Sequence, residues 1–313
     1  MTITAKVVAH SVAATNGVEL VTFELEYPRF IHSELMTHRM ISKNAASSRA
    51  IPVNRAIELI RENTAAPSHW GKNQPGMSAK EQCEAEVHIG EYEHPLGPQP
   101  YRYTREQAWA AARDEAIYIA EAFAKAGYHK QIVNRLLEPF SHIKVVATAT
   151  STQLNNLFWL RCHPDAQPEF QELAKTMWEA LDGSAPIGLE VGDWHTPYFA
   201  RGYWVEESGV PLEDALAISA SCCAQVSYRR LDDSIEKARD IFKRLVETKP
   251  VHASPFEHQG TPMLDIDGPG SGFEQRGATH FHKKFGYMSG NFDGWIQHRQ
   301  LIEDHVNNTP FKG

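Results

Sequence analysis

An Asn-Gly pair at positions 16–17 separates two apolar stretches at the start of the chain. Asn-Gly adopts the left-handed backbone of a tight hairpin turn more easily than most residue pairs. Val7 and Val8 precede the pair, and Pro28 closes the second stretch. Within that stretch every second residue is apolar, namely Val21, Phe23, Leu25 and Tyr27. This alternation is typical of a strand with one buried face. Residues 4–30 are therefore predicted to form a β-hairpin.

Helical patterns follow along the chain. Residues 31–63 are predicted to be mostly helical, with an interruption by the polar stretch from Ser42 to Arg49. Thr104 and Gln107 form a capping box, which predicts a helix that Gly127 ends. Further predicted elements are a helix over 129–137, a short strand or extended entry over 143–150, and a helix capped by Asp165 and ended by Gly183.

The remaining segments give less regular patterns. Residues 64–103 are rich in Pro, Gly, His and Gln, and a stretch of this length inside a domain is predicted to be a long ordered loop or a lid. Residues 184–210 are predicted to be irregular. The last third is predicted to hold helices near 211–226 and 233–247, a Gly-rich loop (DGPGSG) and a final helix from about Phe292 to His305.

Composition narrows the class of protein. The 313 residues carry a formal net charge of −8, which disfavours a broad basic face for a nucleic-acid polymer. Four cysteines without a Cys-x-x-Cys pair favour neither a disulfide framework nor a zinc site. The chain lacks an apolar run long enough to cross a membrane, and its first residues do not resemble a signal peptide. We expect a soluble, cytoplasmic protein.

The stretch THRMISKNAASSRAIP, residues 37–52, concentrates short polar side chains and arginines. Helix interiors rarely hold so many residues of this kind. Hydroxyls, amides and free backbone N–H groups next to arginine are typical of a site for phosphate oxygens. The other interpretation is a polar helix end with an N-cap at Ser47 or Ser48. The polar residues are His38, Arg39, Ser42, Asn44, Ser47, Ser48 and Arg49.

These residues resemble the signature of the flavin-dependent thymidylate synthase family. The family carries Arg-His-Arg-x-x-Ser-x-Asn-x-x-Ser-x-Arg-Tyr. This chain matches its spacing except that Thr37 replaces the first Arg and Ala50 replaces the closing Tyr. A second block is similar at Asn156, Leu160-Arg161 and Ala166-Gln167, with Asp165 in place of a His. Arg135 to Pro139 resembles the family's Arg-x-x-Leu-Pro.

A third block lies out of the family's order. The segments 224–228 and 251–258, the second ending in Ser-Pro-Phe-Glu-His, are similar to the family's amino-terminal region. The chain is therefore predicted to be one domain, residues 1–313, that is circularly permuted. Residues 1–183 would carry the nucleotide and FAD motifs and 211–260 the family's amino-terminal half. The segments 64–103 and 261–290 would be inserted loops.

The resemblance implies an α+β fold, with a central antiparallel or mixed sheet flanked by long helices. It implies conversion of dUMP to dTMP with FAD, and with NADPH and methylene-tetrahydrofolate as co-substrates. It also implies a homotetramer with shared active sites. No metal is expected. The implied catalytic residues are Arg161 and Ser47. The implied substrate-binding residues are Glu34, Ser47, Ser48, Arg49, Arg135 and Arg161. The implied cofactor-binding residues are His38, Arg39, Asn44, Asn156 and His258.

The departures from the signature keep other functions open. Thr37 removes a charge expected near FAD phosphate, Asp165 adds an acid, and Glu34 stands where the family often has Gln. Together they suggest an altered substrate or an altered cofactor geometry. The same site could give a hydroxymethyl product, or use a cytosine nucleotide such as dCMP, whose amino group would suit Glu34. A catalytically silent nucleotide-binding relative is a further alternative. A metal-dependent hydrolase using His94, His195 and the pair His280 and His282 is the alternative from another class.

Overall fold

A computed structural model describes residues 2–76, 79–227, 232–264, 275–307 and 309–310. The α-helices are α1 (His32–Met36), α2 (Val53–Glu62), α3 (Arg105–Lys125), α4 (Lys130–Val133), α5 (Ser151–Arg161), α6 (Pro168–Asp182), α7 (Leu212–Ala224) and α8 (Ile235–Glu247). Short 3-10 helices cover Arg29–Ile31, Asn134–Phe140, Glu206–Ser208, Gln225–Ser227, Ser254–Glu257 and His298–Leu301.

The strands fall into one larger sheet and several small ones. The strands are β1 (Thr4–Ala13), β2 (Glu19–Pro28), β3 (Ser42–Ala45), β4 (Val87–Tyr92), β5 (Gln99–Tyr103), β6 (His142–Thr150), β7 (Ile187–Leu189), β8 (Trp194–His195), β9 (Tyr203–Trp204), β10 (Gly260–Pro262), β11 (His280–His282), β12 (Gly286–Ser289), β13 (Phe292–Asp293) and β14 (Trp295–Gln297). The central sheet has the order β3-β6-β2-β1-β7. Its pairs are antiparallel except β1 with β7, so the fold is α+β with a mixed sheet, as predicted.

The apolar face of the central sheet forms the main core. Phe23 on β2 lies opposite Ala147 on β6, and Leu25 lies opposite Val145. Because side chains alternate along a strand, these residues share one face. The helices α5 and α6 cover this face with Leu154, Leu157, Phe170, Leu173, Ala174 and Met177, all buried. This burial against two helices fixes the register of the sheet.

The opposite face carries a row of polar residues among apolar ones such as Leu20 and Val146, and segments from β8 onward cover it. Thr148 on β6 lies opposite both Thr22 on β2 and Ser42 on β3, so a row of hydroxyls crosses the sheet. His195 of β8 and His258 contact this row by hydrogen bonds. A buried polar face needs such partners, because an unpaired polar group there is costly.

A second core cluster lies beside the sheet, between α2, α3 and the segment 130–140. It contains Ile57, Ile60, Ile117, Ala120, Val133, Leu137 and Phe140. Helix α3 begins with the predicted capping box: Gln107 N–H donates to Thr104, whose own N–H donates to the Gln107 side chain. Gly127, with φ 88°, follows its end.

The structure confirms several predictions and corrects others. The hairpin is β1 and β2, and 143–150 is a full central strand. Gln167 occupies the N-cap position of α6 without a side-chain capping hydrogen bond, and Pro168 follows in the first turn, so the predicted cap at Asp165 is wrong. Helix α5 was not predicted, because its apolar positions lack a clear helical stripe. The stretch 64–103 includes the hairpin of β4 and β5.

The predicted final helix is also wrong. Residues 292–293 form β13 and residues 295–297 form β14, whereas only His298–Leu301 are helical, as a single 3-10 turn. Trp295 is fully buried and its indole N–H donates to the carbonyl of Val18, so tertiary packing overrides the local pattern. Residues 267–272 of the Gly-rich loop, and Tyr228 of the third block, lie outside the described residues.

Candidate active site

Arg161, the last residue of α5, is held by three residues of α1 and the turn after it. Its Nε donates to Nε2 of His38 (2.9 Å), and its Nη2 donates to Oγ1 of Thr37 (3.0 Å). Nη1 donates to a carboxylate oxygen of Glu34 at 3.2 Å. Charge-assisted contacts of this kind fix the orientation of a guanidinium plane. The predicted substrate-binding pair Glu34 and Arg161 is therefore an ion pair within one chain.

Phe170 forms the floor under this cluster. The Arg161 guanidinium lies 4.8 Å from the centre of the Phe170 ring, and the His38 imidazole stacks on the same ring at 5.9 Å with planes 2° apart. Burial, with the charges of Arg161 and Lys43, lowers the pKa of His38 to about 4. His38 is therefore neutral near pH 7 and accepts at Nε2, which places its proton on Nδ1.

Lys43 closes the turn that carries His38. Its Nζ donates to the carbonyl oxygen of His38 (2.6 Å) and of Leu35 (3.4 Å), carbonyls near the end of α1. A cation at a helix C-terminus satisfies carbonyls that have no helical partner. Burial lowers the pKa of Lys43 to about 8. Lys43 therefore stabilises the turn that follows the five-residue helix α1.

A cleft of about 550 Å³ opens beside this cluster; we name it the α5 cleft. One wall is the turn from Thr37 to Ile41. A second wall is one face of α5, where Thr152, Asn156 and Leu160 follow each other at four-residue spacing and so line up. The third wall comes from the hairpin of β11 and β12, with Lys284, Phe285 and Met288. The cleft thus joins segments that lie more than a hundred residues apart in the sequence.

Four predicted residues meet at the α5 cleft: His38, Arg39, Asn156 and Arg161. Arg39 and Asn156 are exposed. Asp293 also lines the cleft, and its carboxylate accepts hydrogen bonds from the hydroxyls of Thr150 and Thr152.

The predicted phosphate-binding residues lie elsewhere, around Glu138. Ser48 Oγ donates to Glu138 Oε1 at 2.8 Å, and Arg135 Nη1 donates to the same oxygen at 2.9 Å. Ser47 and Arg49 flank Ser48, and Arg49 is exposed. Asn134 holds the turn by donating from Nδ2 to the carbonyls of Ser48 (2.7 Å) and Ile51 (2.9 Å). The predicted N-cap at Ser47 or Ser48 is wrong, because α2 begins at Val53 with Pro52 as its N-cap.

A second cleft of about 490 Å³ adjoins this group; we name it the Ser48 cleft. Ala46, Ser48 and Ala50 line it, and their odd-numbered neighbours Ser47 and Arg49 do not. Arg29 closes one side, with Nη2 donating to the carbonyl of Ala46 at 3.2 Å. The polar run therefore begins at the α5 cleft and ends at the Ser48 cleft, and no single described cleft holds Arg161 together with Ser47 and Arg49.

Asn44 and His258 are buried between the sheet and the last third of the chain. Asn44 Nδ2 donates to the carbonyl of Cys223 at 3.3 Å. His258 is fully buried, and its Nδ1 lies 2.8 Å from Oγ1 of Thr148. Neither residue lines the two clefts described above. These hydrogen bonds connect β3 to α7 and connect β6 to the residue that follows the 3-10 helix Ser254–Glu257.

His258 ends a buried chain of hydrogen bonds. Thr148 contacts Thr22 at 2.7 Å, Thr22 contacts Nε2 of His195 at 2.8 Å, and Nδ1 of His195 contacts Ser11 at 2.8 Å. Burial lowers the pKa of His195 and of His258 to about 3. Both imidazoles are therefore neutral, and Nε2 of His258 is buried without a hydrogen-bond partner in the described part of the protein.

The histidines of the hydrolase alternative are dispersed. His195 belongs to the buried chain, whereas His280 and His282 are exposed on β11 and His94 is exposed between β4 and β5. Within the described ranges, no three His, Cys, Asp or Glu side chains are grouped as metal ligands.

Comparison with protein families matches residues 5–187 to the thymidylate synthase complementing proteins. The chain belongs to this family. The match contains the polar run, α5 and the central strand β6, whereas β8 to β14 lie beyond it. Lys284 and Asp293 of the α5 cleft therefore come from outside the matched segment, and no motif in the sequence pointed to them.

Comparison with solved structures gave matches that cover about half of this chain. Thymidylate synthase X from Helicobacter pylori, with FAD and dUMP, is 17% identical over 52% of this chain and 67% of that chain, with a TM-score of 0.36. The UMP/dUMP methylase PolB from Streptomyces cacaoi, bound with 5-Br dUMP, is 18% identical over 57% of this chain and 90% of that chain, with a TM-score of 0.41. The comparison with curated proteins gave no match.

Among the helices of the described residues, none is both long enough and apolar enough to cross a bilayer.

Proposed function

We propose that this chain transfers a one-carbon unit to carbon 5 of a pyrimidine deoxynucleotide, converting dUMP to dTMP with FAD as cofactor. The observation that carries the proposal is the α5 cleft. It brings His38 and Arg39 of the family's signature against Asn156 and Arg161 of the second block, although Arg161 and His38 are 123 positions apart. A structural role alone does not require this convergence at the wall of an open cleft.

The residues of the α5 cleft fit FAD by their chemistry. Arg39 and Lys284 provide cations for the pyrophosphate, and neither has an ion-pair partner among the described residues. Asn156 provides an exposed amide that can both donate to and accept from a flavin ring edge. Met40, Leu160 and Phe285 provide apolar wall for a planar ring system. These residues would hold the cofactor, which when bound supplies the relay of hydride from NADPH.

The overall reaction balances with the proposed co-substrates. The methylene carbon of methylene-tetrahydrofolate forms a bond to carbon 5, and the carbon 5 proton leaves. Hydride that originates in NADPH makes the methylene a methyl group. The released proton and one from solvent cover the two folate nitrogens, so the products are dTMP, tetrahydrofolate and NADP⁺. Catalysis by the protein then consists of binding, orientation and stabilisation of charge.

Arg161 is the residue we assign to charge stabilisation. Carbon 5 becomes nucleophilic when the ring gains enolate character, with negative charge on a pyrimidine carbonyl oxygen. A preorganised guanidinium lowers the energy of that charge. The three contacts to Glu34, Thr37 and His38 hold the guanidinium before substrate arrives. The neutral His38 leaves the positive charge of Arg161 uncompensated on that side.

We assign Ser47, Arg49 and Arg135 to the nucleotide phosphate, with Ser48 and Glu138 fixing their turn. Ser47, Arg49 and Arg135 do not line the α5 cleft of the same chain, which supports a site completed by a second copy. Cofactor binding by Asn44 and His258 stays a prediction. The homotetramer, the circular permutation and the inserted loops remain predictions on the same footing. The cytoplasmic location is likewise a proposal.

Glu34 favours one alternative substrate. Its carboxylate accepts from Arg161 and is still partly exposed, so an acceptor and a donor lie side by side. The amino group of cytosine donates and its ring nitrogen accepts, which matches that pair. The second candidate is therefore a dCMP-directed enzyme. It would either methylate, or add water to the transferred methylene to give a hydroxymethyl group without using NADPH.

The test is turnover by purified protein with FAD, NADPH and methylene-tetrahydrofolate, and with dUMP or dCMP as acceptor. Mass spectrometry of the nucleotide separates a methyl product from a hydroxymethyl product, which has one more oxygen atom. NADPH oxidation should match methyl product one to one. A protein that binds flavin and nucleotide yet forms neither product would be the silent relative, and the proposal would fail.

A further inference from the structure

The hairpin of β11 and β12 reaches the α5 cleft with its turn. Lys283 and Lys284 occupy this turn, and Lys284, Phe285 and Met288 line the cleft. The hairpin belongs to the part of the chain beyond residue 187, so the family match says nothing about it. Its lining residues are therefore a feature of this protein that the shared motifs do not explain.

Contacts next to the hairpin fix its position over the cleft. Asn291 Nδ2 donates to the carbonyl of Met40 (2.6 Å) and to Oγ of Ser42 (3.0 Å), which ties the segment to the polar run. Thr152 Oγ1 donates to Asp293 at 2.7 Å, which ties it to α5. The same two elements form the other walls of the cleft, so all three walls are joined by direct hydrogen bonds.

The charges that line the cleft leave two cations unpaired. The Arg161 guanidinium is paired with Glu34, and the Asp293 carboxylate is engaged by the hydroxyls of Thr150 and Thr152. Arg39 and Lys284 line the cleft from separate segments, both are exposed, and neither forms an ion pair within the described ranges. The Lys284 ammonium lies 5.3 Å from the ring of Phe285, its neighbour in the cleft wall. The two cations without an ion-pair partner outnumber the Asp293 carboxylate, so the cleft keeps a net positive charge that favours a ligand with phosphate oxygens.

We propose that Lys284 binds the phosphates of the dinucleotide cofactor, together with Arg39. This inference rests on the proposed function. Position 37 has threonine, whose hydroxyl accepts from Arg161 and donates to the carbonyl of Glu34. Because this hydroxyl is neutral, Thr37 adds no positive charge to the cleft. Lys284 restores a cation to the same cleft from outside the family's signature. Cofactor binding then depends on the last third of the chain.

The test is equilibrium binding of FAD to Lys284→Ala, with Lys283→Ala as the matched control. Lys283 is the adjacent exposed lysine and does not line the cleft. We expect the FAD dissociation constant to rise about tenfold in Lys284→Ala and to stay within about twofold in Lys283→Ala. Lys284→Arg should retain most of the affinity. The loss should shrink at high salt, because the contact is electrostatic.

Two further ligands separate the sources of phosphate. Riboflavin lacks phosphate, so its affinity should be the same in wild type and Lys284→Ala. The affinity for dUMP without FAD should also be unchanged, because we place its phosphate at Ser47 and Arg49. A loss for dUMP alone would move Lys284 to the nucleotide and overturn the assignment, and so would equal losses for riboflavin and FAD.

The outcomes distinguish this inference from the proposed function. If wild type binds no flavin, the proposed function fails first. If wild type binds FAD and Lys284→Ala binds it as tightly as Lys283→Ala does, only the role of Lys284 is wrong. Circular dichroism and the melting temperature of each variant check that the hairpin substitution leaves the fold intact.

Discussion

The Nε of Arg161 donates a 2.9 Å hydrogen bond to Nε2 of His38, and both side chains lie against the ring of Phe170. Arg161 ends α5 and His38 follows α1, so this bond joins the signature motif to the second sequence block that resembles the family. Its direction requires a neutral imidazole with the proton on Nδ1. The position of the Arg161 guanidinium therefore depends on the protonation state of His38.

Replacing Arg161 tests its assignment to the chemistry. Arg161→Ala should lower turnover about 100-fold or more, the usual effect of removing a preorganised electrostatic partner. The protein should stay folded, because the side chain lies at the cleft wall rather than in the main core. Steady-state kinetics and circular dichroism measure the two effects. Turnover close to wild type would remove Arg161 from this role.

The titration of His38 tests the geometry independently of activity. Burial and the charge of Arg161 hold its pKa at about 4. In Arg161→Gln the pKa should rise, because one cause is gone, but stay below 6.5 because burial remains. Proton NMR of the imidazole across pH measures both values. An unchanged pKa in the variant would contradict the contact.

The buried histidines predict how stability depends on pH. Burial lowers the pKa of His195 and His258 to about 3, below the 6.5 of the unfolded chain. Between these values the unfolded state binds more protons, so stability is full above pH 6.5 and decreases as pH falls towards 3. Each histidine should contribute a slope of about 1.4 kcal/mol per pH unit in that window.

Urea unfolding at a series of pH values measures this slope. His258→Gln removes one titrating group and should reduce the slope by about half of the pair's contribution, whatever it does to absolute stability. A slope that is the same with and without His258 would show that this imidazole is not held neutral.

Alanine substitutions at two glycines with positive φ distinguish the cost of backbone strain from the cost of a steric clash. Gly202 has φ +94°, and a Cβ there would lie 2.8 Å from Cβ of Ala9, whereas Gly209 has φ +69° and open space around it. Gly209→Ala should cost about 1 kcal/mol of unfolding free energy from strain alone. Gly202→Ala should cost about 3 kcal/mol, because Ala9 lies in the central sheet and cannot move freely. Equal costs in chemical denaturation would contradict the close approach.

The sequence predicted local features well where local chemistry decides the outcome. The Asn16-Gly17 turn, the alternation in β2 and the capping box at Thr104 appear as expected, because each depends on a few adjacent residues. Helix α5 was missed because it packs by Leu154 and Leu157 while Asn156 and Arg161 face the cleft, which removes a clear apolar stripe. The end of the chain was misjudged because burial of Trp295 decides its conformation.

The candidate site was predictable only in part. The motif spacing identified His38, Arg39, Asn156 and Arg161, and the structure places them at one cleft. It gave no sign that Glu34, Thr37 and Arg161 bond to one another, since that depends on how α1 meets α5. Lys284 was not identified either, because no local pattern tells which lysine a distant hairpin brings to a cleft.

The most direct test of the central claim uses flavin fluorescence to measure FAD binding by the Arg39→Ala and Arg49→Ala variants. Arg39 and Arg49 are both exposed arginines of the same motif. Arg39 lines the α5 cleft and Arg49 does not. We predict that wild type binds FAD, that Arg39→Ala weakens binding about tenfold, and that Arg49→Ala leaves it unchanged. Absence of FAD binding by wild type, or equal FAD affinity in wild type and Arg39→Ala, would contradict the placement of the cofactor in this cleft.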